Sequence, residues 1–354
     1  MLVAAEQLPV DTWSARNSYW SDTGRDQKPA RRKRHRPIEP LVLCGHGMSL
    51  RVDGGTLLVR NGRTHYPHEP ETYRFFPGGK ALPPRIIVLD GSGSISFDVL
   101  GWLAEQGVPL IRINWRGEVV TVAGGSGYGA DGKNLQWQLE TRADPVRRVL
   151  FSTSLIRQKL QASVTTLTEC IADSPARRVA LSNAAAALEQ IDRSPPRDLV
   201  QLRGIEAFAA AAYFAAWRGL EMSIKPTVRK HVPEEWLAFD ARASLANGKR
   251  PKNKRASHPL NAMLNYAYGV LQAQLQVRAV SEGFDPTVGI MHHGYRDSPA
   301  YVFDLMEPER PKVDAALLRF VTGHEFSAAD FTLRSDGVVR LSPQLARRVC
   351  GLVV

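Results

Sequence analysis

The side chains best suited to chemistry in this sequence lie between positions 289 and 314, beside an apolar run. Two histidines, three aspartates, two glutamates and two arginines fall within this stretch. Asp304 and Glu307 are three residues apart, so they share one face if the segment is helical. One imidazole with two or three carboxylates is an ordinary ligand set for Mg²⁺ or Mn²⁺. The same composition fits a solvated helix start with incidental histidines, and local spacing alone leaves both interpretations open.

A short helix is predicted to carry these carboxylates. Ser298 can cap it, Pro299 suits its first position, and residues 300–306 are mostly apolar. His292 and His293 precede the cap, where a loop can return one imidazole toward the carboxylates. The segment would then bring both kinds of ligand to one place.

A further carboxylate, Glu206, lies far upstream in a segment with the apolar spacing of a helix, residues 196–222. Alanine occupies positions 207, 209–212, 215 and 216 beside it. A lone glutamate in such surroundings is either an exposed helix charge or a buried carboxylate that needs a partner. Burying it unpaired is costly, so a cation or a metal ion is the natural partner for a buried side chain.

A basic segment with interspersed glycine and proline precedes the next predicted helix, which begins near residue 259. Segments of this kind contact a nucleic-acid backbone without reading its sequence, although they also occur as plain solvated loops. We predict DNA contacts from the basic side chains of this segment, which are Lys249, Arg250, Lys252, Lys254 and Arg255.

The charge of the whole chain supports a polyanionic partner. The 354 residues carry a formal net charge of +11. The first 36 residues hold eight basic and four acidic side chains, so most of the excess lies in the remainder. Nucleic acid is therefore favoured over a membrane surface, with a merely soluble basic protein as the alternative.

Cysteine usage and hydropathy indicate the compartment. Cys44, Cys170 and Cys350 are far apart and form no paired motif, which argues against a disulfide framework or a zinc ribbon. No apolar run approaches the length of a membrane span, and the N-terminus lacks a signal pattern. We expect a cytoplasmic protein without a membrane partner.

The pattern of elements predicts an α+β fold. Short runs typical of strands occupy 41–43, 49–52, 56–60, 85–89, 108–113 and 118–122, with one helix at 95–106. The Gly-Ser-Gly-Ser sequence at 91–94 predicts a turn and a helix cap. A phosphate cradle is the lesser alternative, because the lysine of a P-loop is missing. Helices are predicted at 145–171, 175–191 and 196–222, and from residue 259.

Four segments follow from this pattern. Residues 1–38 form a basic N-terminal arm without regular periodicity, and residues 39–123 form a small β-rich domain with one helix. Residues 124–134 form a Gly-rich linker, and residues 135–354 form a larger all-α catalytic domain.

Several blocks in order along the chain resemble the CRISPR-associated integrase family, the catalytic subunit of spacer acquisition. The blocks cover residues 41–342. They are Gly-Ser-Gly-Ser-Ile-Ser at 91–96 with the helix and strand up to 110, Gly-Ile-Glu at 204–206, Pro-Leu-Asn-Ala-Met-Leu at 259–264, Gly-Ile-Met-His at 289–292 and Asp-Leu-Met-Glu-Pro at 304–308. Each block is weak alone, but five in the same order are specific.

The resemblance implies a metal centre and a reaction. It places the metal ligands on Glu206, His292 and Glu307, with Asp304 as an additional acidic residue that orients or contributes. It implies Mg²⁺ or Mn²⁺ and the insertion of short DNA fragments into a CRISPR array by attack of a 3′-OH on a phosphodiester.

The resemblance also implies partners. These are double-stranded DNA as incoming fragment and target repeat, a homodimer through the β-rich domain, and a small ferredoxin-like adaptor. Two other functions remain open from the residues: a metal-dependent endonuclease on branched or foreign DNA outside an array, and a non-catalytic nucleic-acid-binding protein.

Overall fold

Short apolar runs punctuated by glycine and proline form a six-stranded sheet in the first part of the chain. Its strands are β1 (Leu41–Asp53), β2 (Thr56–Arg60), β3 (Thr72–Phe75), β4 (Ile86–Ile95), β5 (Leu110–Ile113) and β6 (Val119–Ala123). They lie in the order β3-β2-β1-β4-β5-β6. The β1–β4 and β4–β5 pairs are parallel and the others antiparallel. Helix α1 (Phe97–Glu105) connects the parallel strands β4 and β5.

Helices dominate the rest of the chain. They are α2 (Gly132–Ala143), α3 (Pro145–Cys170), α4 (Pro175–Arg193), α5 (Leu199–Ala215), α6 (Pro226–Arg229), α7 (Pro259–Ser281), α8 (Ala300–Met306), α9 (Arg310–Gly323) and α10 (Pro343–Gly351). A two-stranded hairpin, β7 (Phe331–Leu333) with β8 (Val339–Leu341), lies between α9 and α10. The predicted architecture, a β-rich N-terminal part followed by a mostly helical part, is confirmed; the hairpin was not predicted.

The coordinates form a computed structural model, and the structure describes residues 40–63, 70–114, 117–124, 130–229, 231–242, 256–293 and 298–353. The basic arm at 1–38 and all five predicted DNA-contacting residues at 249–255 lie outside the described residues. Within those ranges, every helix is too short or too polar to span a bilayer.

The alternation of side chains along the strands divides the sheet between two cores. Leu43 and Leu57 pack with Trp102 of α1 on one face. On the other face, Cys44 and Ile111 join the larger core that the helices build. The sheet therefore lies between α1 and the helical part of the chain.

Capping side chains explain where several helices begin. Asp131, Asp144, Ser174, Asp198 and Ser342 each accept backbone N–H groups at the start of α2, α3, α4, α5 and α10 respectively. Helix α5 is shorter than predicted at both ends because its cap lies at 198 and a turn follows residue 215.

Two predictions of local structure are wrong. Residues 91–94 do not form a turn and helix cap; they continue β4, where His46 of β1 pairs with Ser92. Two register shifts in β1 and a positive φ of 81° at Gly91 keep the strands paired across a glycine-rich segment. Ser298 does not cap α8 either, because that helix begins one residue later, after Pro299.

Helix α7 is the central element of the helical part and is buried on nearly every side. It contacts β5, β6, β8, α8, α9 and α10. Gly269 permits the closest of these approaches, because a Cβ on it would lie 2.0 Å from the carbonyl oxygen of Gly117, in the turn before β6. A side chain at this position would push the sheet away from α7.

We predict that Gly269→Ala destabilises the protein by about 2 kcal/mol, since backbone must move to admit the methyl group. The matched control is Gly101→Ala in α1, where a Cβ meets nothing within 4 Å. Helix propensity alone stabilises that control by up to about 1 kcal/mol. Urea unfolding followed by circular dichroism measures both, and equal effects would contradict the close approach.

Candidate functional site

The carboxylate of Asp304 in α8 organises the loop that carries the two histidines. It is fully buried and accepts backbone N–H groups from Ile290 (2.6 Å), Met291 (3.0 Å) and His292 (2.8 Å). Three such bonds meet the cost of burying the charge and fix the loop against α8.

The same carboxylate also orients one imidazole. Nδ1 of His292 lies 2.8 Å from Oδ1 of Asp304, which can only accept when ionised. Nδ1 therefore carries a proton, and Nε2 on the other side of the ring lies 4.0 Å from Oε1 of Glu307. A carboxylate behind a histidine is the arrangement that orients metal-binding imidazoles in other proteins.

Glu206 and Glu307 reach the same place from different helices. Glu206 lies on α5 and Glu307 closes α8, and the ammonium of Lys159 from α3 contacts both carboxylates. The Lys159 Nζ to Glu307 Oε2 distance is 2.6 Å. The other oxygen of Glu307 lies 2.7 Å from Nη1 of Arg310. Two carboxylates thus share one cation, which the chain itself supplies.

Coulomb attraction outweighs burial in this cluster. Burial opposes the charge on Lys159, but Glu307 and Glu206 more than offset it and hold the pKa of the ammonium above its usual value. Burial likewise favours a neutral Glu307, yet Arg310 and Lys159 hold the pKa of that carboxyl below its usual range. The directions of both pKa shifts favour the charged forms of Lys159 and Glu307.

The donor set fits a hard divalent ion. As the chain stands, no three His, Cys, Asp or Glu side chains of the described residues are gathered closely enough to hold a metal. The ammonium between Glu206 and Glu307 nevertheless marks a position that attracts a cation, and Nε2 of His292 lies 4.0 Å from the other oxygen of Glu307. Two carboxylates and one imidazole are ligands that Mg²⁺ and Mn²⁺ accept.

A second buried carboxylate lies behind this cluster. Asp314 of α9 accepts hydroxyl protons from Tyr213 (2.9 Å) and Tyr268 (2.6 Å). Complete burial raises the pKa of Asp314 from 3.8 to about 6, against the lowering effect of these bonds. The guanidinium groups of Arg242 and Arg310 each lie 5.7 Å from the centre of the Tyr268 ring.

These two clusters line one cavity of about 230 Å³. Its polar lining includes Lys159, Glu206, Tyr213, Arg242, Tyr268, Arg310 and Asp314. Three cationic side chains and two tyrosine rings face a space beside the paired carboxylates. Such a lining suits an anionic ligand that brings a phosphate to the carboxylate pair.

Comparison with known proteins identifies the family. The family model described as CRISPR associated protein Cas1 matches residues 41–353, nearly the whole chain. The chain belongs to the Cas1 family. A CRISPR-associated endonuclease Cas1 from Pyrobaculum aerophilum is 27% identical over 319 residues, which cover 85% of this chain and 88% of the relative.

Solved structures share the Cas1 fold of this chain. A casposase bound to integration product superposes with a TM-score of 0.71 at 24% identity, covering 89% of this chain and 82% of the casposase. A Cas6-RT-Cas1–Cas2 complex gives a TM-score of 0.61 at 17% identity, covering 90% of this chain and 32% of that larger chain. At these identities the likeness concerns the fold.

The structure of this Cas1 chain places the predicted site residues with differing outcomes. Glu206 and Glu307 share Lys159, and His292 lies beside Glu307, although 101 positions separate the first of these residues from the last. Asp304 lies behind His292 with its oxygens occupied, a position suited to orienting the imidazole. The histidine preferred from the sequence faces the carboxylates, whereas His293 turns toward Arg142 and Arg148.

Sequence reasoning missed the cations of the site. Lys159 lies on a helix that was predicted only from its apolar spacing, between the buried residues Ile156 and Ser163. A lysine on the apolar face of a helix is a signal that a buried acidic partner exists. Its two partners are distant in sequence, so no local pattern could name them.

We predict that Lys159→Met destabilises the protein by about 3 kcal/mol in EDTA, because two carboxylates lose their shared cation. Lys312→Met is the control, since that lysine pairs with Glu309 at the surface and its loss changes stability by about 0.5 kcal/mol at most. Urea unfolding measures both variants. A Lys159→Met variant as stable as the control would show that the bridge is energetically unimportant.

Proposed function

We propose that this Cas1-family protein is a metal-dependent DNA integrase and endonuclease. It joins the 3′-OH of a short DNA fragment to a phosphodiester of a CRISPR array, the reaction of spacer acquisition. The pairing of Glu206 and Glu307 around one cation, with His292 beside Glu307, carries the proposal. The basic charge of the chain and the family membership support it.

The site residues would hold Mg²⁺ or Mn²⁺ through the two carboxylates and Nε2 of His292. When bound there, the ion neutralises a crowded anionic phosphoryl centre, activates the attacking hydroxyl and steadies the leaving oxygen. Lys159 must leave the carboxylates for this, because its ammonium and a divalent cation cannot share them.

The chain's own groups prepare the site for this chemistry. Asp304 keeps the proton of His292 on Nδ1, so that Nε2 presents a lone pair toward Glu307. Arg310 lines the cavity beside the carboxylate pair and offers positive charge to a DNA phosphate. Preorganised charge of this kind lowers the barrier most where water is excluded.

We expect Glu206→Ala, His292→Ala and Glu307→Ala each to lower strand transfer at least about 100-fold, because each removes a ligand. The assay joins a short duplex with free 3′-OH ends to a supercoiled plasmid in Mn²⁺, with EDTA as the metal-free arm. Glu309→Ala is the control, since Glu309 pairs with Lys312 at the surface.

The outcome also separates the alternative functions. Transfer that persists in EDTA, or in the three variants, would contradict a metal-dependent site. Cleavage of branched DNA without joining would favour an endonuclease that acts outside an array. DNA binding without any reaction would favour a non-catalytic protein.

The proposed partners are DNA, a second copy of this chain and a small ferredoxin-like adaptor. An apolar groove of about 290 Å³ on the sheet supports the second copy, with Met48, Leu50 and Val88 among its lining residues. Phe97 beside it is 91% exposed, which is unusual for a phenylalanine. We propose that this face of the β-rich part forms the homodimer.

We predict that Phe97→Glu converts a wild-type dimer into a 39.2 kDa monomer at micromolar concentration, because a charge cannot be buried in an apolar interface. Val200→Glu on α5 is the control, since Val200 is 79% exposed on a different surface. Light scattering after size exclusion gives both masses. A Phe97→Glu variant that stays dimeric would place the interface elsewhere.

A further inference from the structure

Within the described ranges, three arginines near the candidate site lack the acidic partners that neighbouring arginines have. Helices α2–α5 contain eight arginines, and five of them form ion pairs with carboxylates: Arg147, Arg157, Arg177, Arg178 and Arg193. Arg142, Arg148 and Arg203 form no ion pair with a carboxylate of the described residues. They are the three that surround His293.

Their geometry leaves more hydrogen-bond donors than acceptors. Nη2 of Arg142 lies 3.0 Å from Nδ1 of His293, and Nη2 of Arg148 lies 2.7 Å from Nε2 of the same ring. A neutral imidazole accepts at one nitrogen only. With a neutral ring, one of the two guanidinium groups therefore faces a ring N–H group. With a protonated ring, both guanidinium groups do.

The arginines are nevertheless held in place. Nε of Arg148 donates to the carbonyl of Ile290 (2.7 Å), and Nη2 of Arg203 donates to that of Met291 (3.4 Å). The bonds to His293, Ile290 and Met291 place the three guanidinium groups around one short segment of chain. Burial, with repulsion from Arg142 and Arg203, lowers the pKa of Arg148 accordingly. Fixed cations with spare donors suit an anion.

We propose that Arg142, Arg148, Arg203 and His293 form a phosphate site for one phosphodiester group of bound DNA. The proposal rests on the DNA function proposed above and assigns residues outside the carboxylate cluster. His293 follows His292 directly in the chain, so the proposed phosphate site is adjacent to the residue whose imidazole lies beside Glu307. The phosphate oxygens accept hydrogen bonds from the guanidinium N–H groups that the imidazole ring leaves without an acceptor.

Such a site sets the register of the DNA backbone relative to the carboxylate cluster. Phosphate contacts position a duplex without reading its sequence. A neighbouring phosphate held at a fixed point reduces the freedom of the phosphodiester that reacts, which favours in-line attack. The same loop, anchored by Asp304, carries both the positioning histidine and the metal-facing one.

The test measures binding of a fluorescein-labelled DNA duplex by anisotropy at several NaCl concentrations, in EDTA so that no chemistry occurs. We expect the double variant Arg142→Gln/Arg203→Gln to reduce the slope of log K against log [NaCl] by about 1, as the loss of one phosphate contact requires. Affinity at 0.1 M NaCl falls about ten-fold. Arg148 is left intact because its bond to the carbonyl of Ile290 (2.7 Å) is much shorter than the bond of Arg203 to that of Met291 (3.4 Å).

The control is Arg147→Gln/Arg157→Gln, which removes the same charge from arginines that already have acidic partners. An equal fall in slope for both variants, or an unchanged slope for the first, overturns the phosphate site. If circular dichroism shows that the double variant unfolds at a lower temperature than the wild type, the single variant Arg203→Gln, at an exposed position, replaces it in the binding test. A smaller fall in slope is then expected, and an unchanged slope contradicts the proposal.

The DNA-binding results and the strand-transfer results test the two proposals separately. A wild type that binds DNA but never joins it refutes the integrase proposal, while the slopes still test the phosphate site. If the wild type joins DNA and the salt slope of the Arg142→Gln/Arg203→Gln variant is unchanged, only the phosphate site is refuted. A wild type that does not bind the duplex refutes both.

Discussion

Burying carboxylates is the constraint on which the helical part of this protein depends. Asp304, Glu307 and Asp314 are almost completely removed from solvent, and a buried carboxylate without partners is strongly destabilising. Each one obtains partners from a different part of the chain: backbone N–H groups of the histidine loop, cations from α3 and α9, and tyrosine hydroxyls from α5 and α7. Satisfying the three buried carboxylates therefore draws the histidine loop and the helices α3, α5, α7 and α9 together.

The arrangement also explains why the site can be both stable and reactive. Lys159 compensates the charges of Glu206 and Glu307, so the two carboxylates are held close to each other. The polar groups that fix the cluster are themselves fixed, as Asp304 shows by holding a loop and an imidazole together. Rigid helices carry the carboxylates and a short anchored loop carries the histidine, which gives precise positions at little entropic cost.

Local patterns in the sequence predicted which helices and strands occur more accurately than the residues at which they begin and end. Helix α7 was predicted from its proline start and its apolar spacing, and strand β2 from its apolar run; both occur in the structure. The glycines at 91 and 93 were misread as a turn, because a bulged strand and a turn use the same residues. The edge strand β3 and the hairpin β7–β8 are short, and their pairing partners, not their own composition, stabilise them.

The sequence by itself determined the fold class and the family resemblance, and the resemblance led to the proposal of Glu206, His292 and Glu307 as metal ligands. Those conclusions depend on residue type and order, which are local information. Only the tertiary structure decided that Lys159 and Arg310 compensate the carboxylates and that Asp304 faces His292. It also brought together around His293 three arginines that have no carboxylate partner among the described residues. Such pairings join residues up to about 150 positions apart, since burial and charge act through space and not along the chain.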